Sequence, residues 1–219
     1  MHYTKGIILL TATLGVIASG QAEEGDKFSE SKSKDFSLRV SVGSAPGIDE
    51  GEVLGMTFPV DADNGSQIEF LAVKRFWSKN HPAIGGVFGG GIFIANNSGV
   101  DADPSSSAKF DLSAFGIMGQ GGLAVKLGKH IVVEASPYLG LGGASVEITN
   151  FTDGGAVYVM YGLKGGIFVL LGQSIELGIE GSIHGFSSDV ELELSPGLTT
   201  DLTLTGSGPS VAAVLAVKF

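Results

Sequence analysis

No cysteine occurs among the 219 residues, which excludes a disulfide framework, a cysteine-ligated metal and a lipid-modified cysteine after a leader. Cations are scarce as well: 13 Lys and Arg stand against 23 Asp and Glu, a net charge of −10. That balance repels phosphate backbones and removes nucleic acid from the set of partners. Long hydrophobic runs are also missing. Mean hydropathy is +0.32, yet beyond the amino-terminal segment no stretch stays apolar for the roughly 18 residues of a spanning helix. A chain that is apolar on average but never in one block must alternate.

The amino terminus is different in kind. Lys5 precedes an apolar run from Gly6 to Ile17, and Gly20 and Ala22 stand where a signal peptidase cuts. Residues 1–22 therefore read as a signal peptide, 23–34 as a short periplasmic tail, and 35–219 as one domain.

Within that domain the apolar residues fall at every second position, which is the strand period. In SVAAVLAVKF, Val211, Ala213, Leu215, Val217 and Phe219 share one face, opposite Ser210, Ala212, Val214, Ala216 and Lys218. In SIELGIEGSIHGF, Ile175, Leu177, Ile179 and Ile183 oppose Glu176, Glu180, Ser182 and His184. Segments beginning near Phe36, Asp111, His130 and Ala156 follow the same rule, with Arg39, Lys126, Glu134 and Lys164 on the polar face. Two more strands are placed at about Gln67–Trp77 and Ile84–Ala95, where QIEFLAVKRFW alternates weakly and IGGVFGGGIFIA is too glycine-rich to fix a face. Short connections near Lys79–Pro82, Gly128–Lys129 and Gly172–Gln173 alternate with long ones at Ala45–Ser66, Asn96–Lys109, Asn150–Gly155 and Ser187–Gly208. Eight strands of about ten residues, short turns at one end and long loops at the other, suit a tilted crossing of a bilayer. VLGMTFPV, from Val53, leaves ten strands as the alternative.

In hydrocarbon every backbone N–H and C=O needs a partner within the protein, so strands cross a membrane only as a closed ring. The fold class expected is all-β, a closed antiparallel transmembrane β-barrel. In that pattern the chain resembles the small outer-membrane β-barrel superfamily that includes OmpA-, OmpX- and OmpW-type proteins. The resemblance covers the whole domain and is sharpest in the last strand. There Ala213, Leu215, Val217 and Phe219 match the signal read by the outer-membrane assembly machinery in that family. It implies a location in the outer membrane of a Gram-negative bacterium, with lipid, lipopolysaccharide and that machinery as partners.

An eight-stranded barrel is just wide enough to be filled by its own side chains. Inward Arg39, Lys126, Lys164 and Lys218 with Glu134, Glu176 and Glu180 then read as a lumen ion-pair network, because buried charges must pair. The function expected is a non-enzymatic, structural or surface-display barrel without cofactor or metal. One alternative is a narrow channel or binding barrel for small hydrophobic molecules, which needs an apolar funnel involving Phe168, Met118, Met160, Leu54, Met56 and Phe58. Remoter is a lipid A-modifying enzyme using His184, whose neighbours Ser182 and Glu180 lie along the strand rather than converging. Acidic long loops can attract divalent cations, although DADNGSQIE lacks calcium-loop spacing.

Overall fold

A computed structural model describes residues 35–63, 65–101, 108–149, 154–195 and 198–219. The signal peptide and tail expected at 1–34 lie outside these residues. Among the described residues ten strands form: β1 (Phe36–Ala45), β2 (Glu50–Val53), β3 (Met56–Ala62), β4 (Gly65–Trp77), β5 (Ile84–Asp101), β6 (Lys109–Leu127), β7 (Ile131–Ile148), β8 (Gly154–Leu171), β9 (Ile175–Ser195) and β10 (Leu198–Lys218). All pairings are antiparallel.

The ring itself has eight positions, because β2 and β3 continue the wall above β1 and β4. β10 pairs first with β1, down to Gly43↔Ala212, and then with β2 from Glu50↔Thr205, in one unbroken register. β5 likewise pairs with β4 and, above it, with β3. The ten-strand alternative thus resolves into an eight-stranded barrel with two interrupted strands. Following the hydrogen-bonded row once round, from Val42 through Ile68, Ile94, Phe115, Gly143, Val157, Asp189 and Thr203, ends on Glu52, ten residues further along the first strand. A stagger of that size in an eight-membered ring tilts the strands by about 40°.

The turns follow from local chemistry. β2 and β3 are joined by Leu54 and Gly55, both at positive φ (52° and 77°), the geometry of a two-residue turn whose twist matches a hairpin. Gly128 and Gly172 take the left-handed conformation in the two tight turns at the opposite end.

Strand length departs from expectation. β5 to β10 run for 18 to 21 residues, so half of Asn96–Lys109 and nearly all of Ser187–Gly208, which read as long loops, are strand, and Ala45–Ser66 contains the β2–β3 hairpin. The physical reason is an inversion of the faces partway up the wall. Toward the short turns, Phe115, Leu139, Leu163, Ile179 and Leu215 face outward and are exposed. On the same strands toward the long loops, the outward residues become polar: Asp111, Ser113, Glu147, Asp189 and Asp201 are exposed, while Phe110, Leu112, Val146, Val190, Leu202 and Leu204 are buried within. Alternation persists and only its sense reverses. The outward apolar band covers, for example, Ile175–Ile183 on β9 and Ile84–Ile94 on β5, which matches the roughly 9–11 residues of a tilted bilayer crossing. The chain is therefore a transmembrane β-barrel whose wall continues beyond the lipid as an apolar-cored, water-facing extension.

Candidate functional site: the filled lumen

The lumen is layered. Nearest the short turns, Glu134 on β7 accepts two bonds from Arg39 on β1 (Nη1 to Oε2, 2.7 Å; Nη2 to Oε1, 2.8 Å) and a third from Arg75 Nε on β4. Arg75 Nη1 also donates to Glu176 Oε1 at 2.7 Å, and Lys218 Nζ lies 3.5 Å from the same oxygen. The guanidinium carbons of Arg39 and Arg75 sit 4.5 and 5.5 Å from the centre of the Phe168 ring, so the aromatic face adds a favourable contact to charges already paired with carboxylates. All of these except Lys218 are almost wholly buried. Bidentate guanidinium–carboxylate geometry is what makes such burial tolerable.

One layer further in, Lys164 Nζ donates to Glu69 Oε2 at 2.7 Å, and Gln67 Nε2 holds the other Glu69 oxygen at 2.8 Å. Glu180 shares a small cavity with these residues but, among the described residues, makes no ion pair. Among the described residues Lys126 also has no carboxylate within ion-pair reach; its ammonium lies 3.8 Å from the centre of the Trp77 ring, whose Nε1 donates to Asp35. Glu69 and Arg75 were not among the residues read from the sequence. Their strand carries apolar residues on both faces, inward Leu71 and Val73 as well as outward Ile68 and Phe70, which hid its phase. The one inward cation in excess on the clear strands, four against three carboxylates, is the available signal for Glu69.

Above the charges Ser182 and Ser210 are hydrogen-bonded to each other, and their Oγ atoms lie 3.3 and 3.5 Å from His184 Nδ1. The structure thus brings a serine to His184, but from the neighbouring β10 as much as from its own strand. The cavity beside them measures only about 20 Å³, room for about one water molecule.

Next comes an aromatic layer. Tyr158 stacks on Phe186 (5.3 Å between centres) and tilts against Phe93 (5.8 Å), with Met160 and Met118 buried beside them. Over it the chain between β1 and β2 leaves the wall. Ile48 turns inward and is completely buried. Its N–H donates to the Ser98 carbonyl, Asn97 Nδ2 donates to the Pro46 carbonyl at 2.6 Å, and Tyr158 Oη donates to Asn97 Oδ1 at 3.1 Å. Asp49 then caps the Ser207 N–H of β10, which has lost its strand partner there. This tucked segment is not visible in the sequence, where Ala45–Ser66 reads as one long connection.

The residues named for an apolar funnel do not come together. Phe168 lies within the charged layer, Met118 and Met160 lie in the aromatic layer, Phe58 packs on Phe110, and Leu54 and Met56 are exposed at the hairpin tip. On the outer wall Asp111 and Glu147 are direct cross-strand neighbours beside Asn96, Ser113 and Ser145. Among the described residues no three His, Asp or Glu converge to hold a metal.

No family model and no curated protein matches the chain. Among solved structures it is similar to Neisserial surface protein A (13% identity, TM-score 0.42, 84% of this chain and 97% of that one). Others are Ail, the attachment invasion locus protein of Yersinia pestis (9%, 0.39, 84% and 97%), and the outer membrane protein OprG from Pseudomonas aeruginosa (12%, 0.45, 84% and 95%). Similarity this remote adds nothing to the ring closure read from the hydrogen bonds.

Proposed function

We propose that the protein is a closed, non-enzymatic barrel of the bacterial outer membrane, with its short turns in the periplasm and its long wall displayed outside. The observation that carries this reading is the filling of the lumen. Charge pairs, the His184 layer, the aromatic layer and the tucked Pro46–Asp49 segment occupy successive levels, and the cavity beside Lys164 and Ser182 holds about one water. The interior supports rigidity rather than passage. Outside, β9 rises roughly 25 Å from Gly185 to Ser195, and the carboxylates of Asp189 and Glu191 are exposed on it. Ala213, Leu215, Val217 and Phe219 form one outward row of the last strand, accessible to the assembly machinery.

Refolded into detergent, the domain is expected to show a heat-dependent gel shift, and in planar bilayers no steady conductance. Steady conductance, or uptake of a hydrophobic dye by liposomes carrying the barrel, would replace this reading with the conduit. The Ser182–His184 contact receives its own test: lipid A mass is expected to be the same in cells carrying the natural chain and in cells carrying His184→Ala. A mass change that disappears with His184→Ala would make the barrel an enzyme.

A further inference from the structure

Lipid-facing positions of the band are apolar or glycine, with one charged exception. On β4 the outward row is Ile68, Phe70, Ala72, Lys74 and Phe76, so Lys74 points into lipid two residues before the last outward position of its strand. Within the band, and among the described residues, the six clearly alternating strands carry no charged side chain on that face. A charge facing hydrocarbon is costly and calls for a counter-charge or an escape to the interface.

Its surroundings specify which. Cross-strand neighbours on either side are Phe36 and Phe88, and Phe36 in turn touches Phe219 with ring centres 6.3 Å apart. The Lys74 ammonium lies 5.1 Å from the centre of the Phe76 ring, so the side chain bends toward the short-turn end and not toward the bilayer centre. Two residues along a strand tilted by about 40° amount to a rise of about 5 Å, a distance the lysine stem spans. The ammonium therefore arrives at the depth of the glycerol and phosphate groups, above phenyl rings placed to meet acyl chains. Among the described residues no carboxylate reaches it.

We propose that Lys74, framed by Phe36, Phe76 and Phe88, binds the headgroup phosphate of an anionic phospholipid in the leaflet at the short-turn end. The ammonium supplies the counter-charge, the Phe76 face steadies it, and Phe88, 67% exposed, packs along the acyl chain. Lys79, in the following turn, contributes diffuse attraction but no pocket.

The proposal rests on the barrel lying in lipid, which the heat-dependent gel shift reports separately for every variant. The domain is reconstituted in vesicles of equimolar phosphatidylcholine and phosphatidylglycerol, extracted in mild detergent and weighed by native mass spectrometry. The natural chain is expected to retain one phosphatidylglycerol preferentially, Lys74→Gln to lose that preference by about fivefold, and Lys79→Gln to keep it. Equal retention by Lys74→Gln overturns the site, and so does equal loss in both variants, which would mean unfocused attraction. Should Lys74→Gln fail the gel-shift control, Lys74→Leu, compatible with a wholly apolar band, gives the same reading.

Discussion

Replacing Glu134 with leucine is expected to lower the unfolding free energy of the barrel by about 3–5 kcal/mol, the cost of stranding buried charge. The magnitude comes from the way one carboxylate serves two guanidiniums. Both Arg39 and Arg75 direct donors at Glu134, and all three side chains are at most 5% exposed. Removing the carboxylate leaves Arg75 with Glu176 alone and Arg39 with only the Phe168 face. Removing a cation at the same time tests the cause. Glu134→Leu combined with Arg39→Met removes both members of the bidentate pair, and recovery of part of the loss is expected because the stranded charge goes with it. Urea unfolding in lipid vesicles, followed through Trp77 fluorescence, measures both. A double variant no more stable than Glu134→Leu would show that packing, and not charge pairing, holds this layer.

The second large effect is expected at Tyr158. Truncation to alanine removes a completely buried ring that touches Phe93 and Phe186, a change worth about 3–5 kcal/mol in a close-packed interior. It also cuts the relay from Tyr158 through Asn97 to the Pro46 carbonyl. Tyr158→Phe separates the two contributions, because the ring stays and only the hydrogen bond to Asn97 goes, at about 1–3 kcal/mol for the buried oxygen left behind. Limited proteolysis reads the local consequence. Cleavage near Ile48 is expected to accelerate in Tyr158→Ala more than in Tyr158→Phe. Equal protection in both would detach the tucked segment from the aromatic layer beneath it.

How much of this was legible depends on whether a residue's neighbours lie in sequence or across the ring. The outward rows of β1 and β6 to β10 follow from period-two spacing, since each side chain's face is fixed by its own strand. Ion pairs are another matter. Lys126 and Glu180 point inward as their spacing requires, but only the ring's stagger decides that Lys126 meets Trp77 and that Glu180 lies beside Lys164 without a direct ion pair. The upper wall was misread for a different reason. DLTLTGSG alternates as cleanly as the SVAAVLAVKF that follows it in β10, but with water outside, its polar residues face outward, and such polarity reads as a loop. Lys74 escaped notice with β4, whose apolar residues fall on both faces.

The uneven pairing of the ring has a consequence for the order of assembly. β9 and β10 match from Thr199↔Glu193 to Val217↔Ile175 across a short connection, whereas β1 and β10 share only the stretch from Ser37↔Lys218 to Gly43↔Ala212 and are separated by almost the whole domain. Bringing distant ends together carries a larger chain-entropy cost than zipping a hairpin, and contacts of high sequence separation form slowly. The successive hairpins can therefore propagate first, with the β1–β10 seam closing last. Glu134 and Glu176 are on strands that zip early, while Arg39 arrives only with β1. The charge layer can complete itself only at closure, so the same pairs that fill the finished lumen act as a latch on its final step.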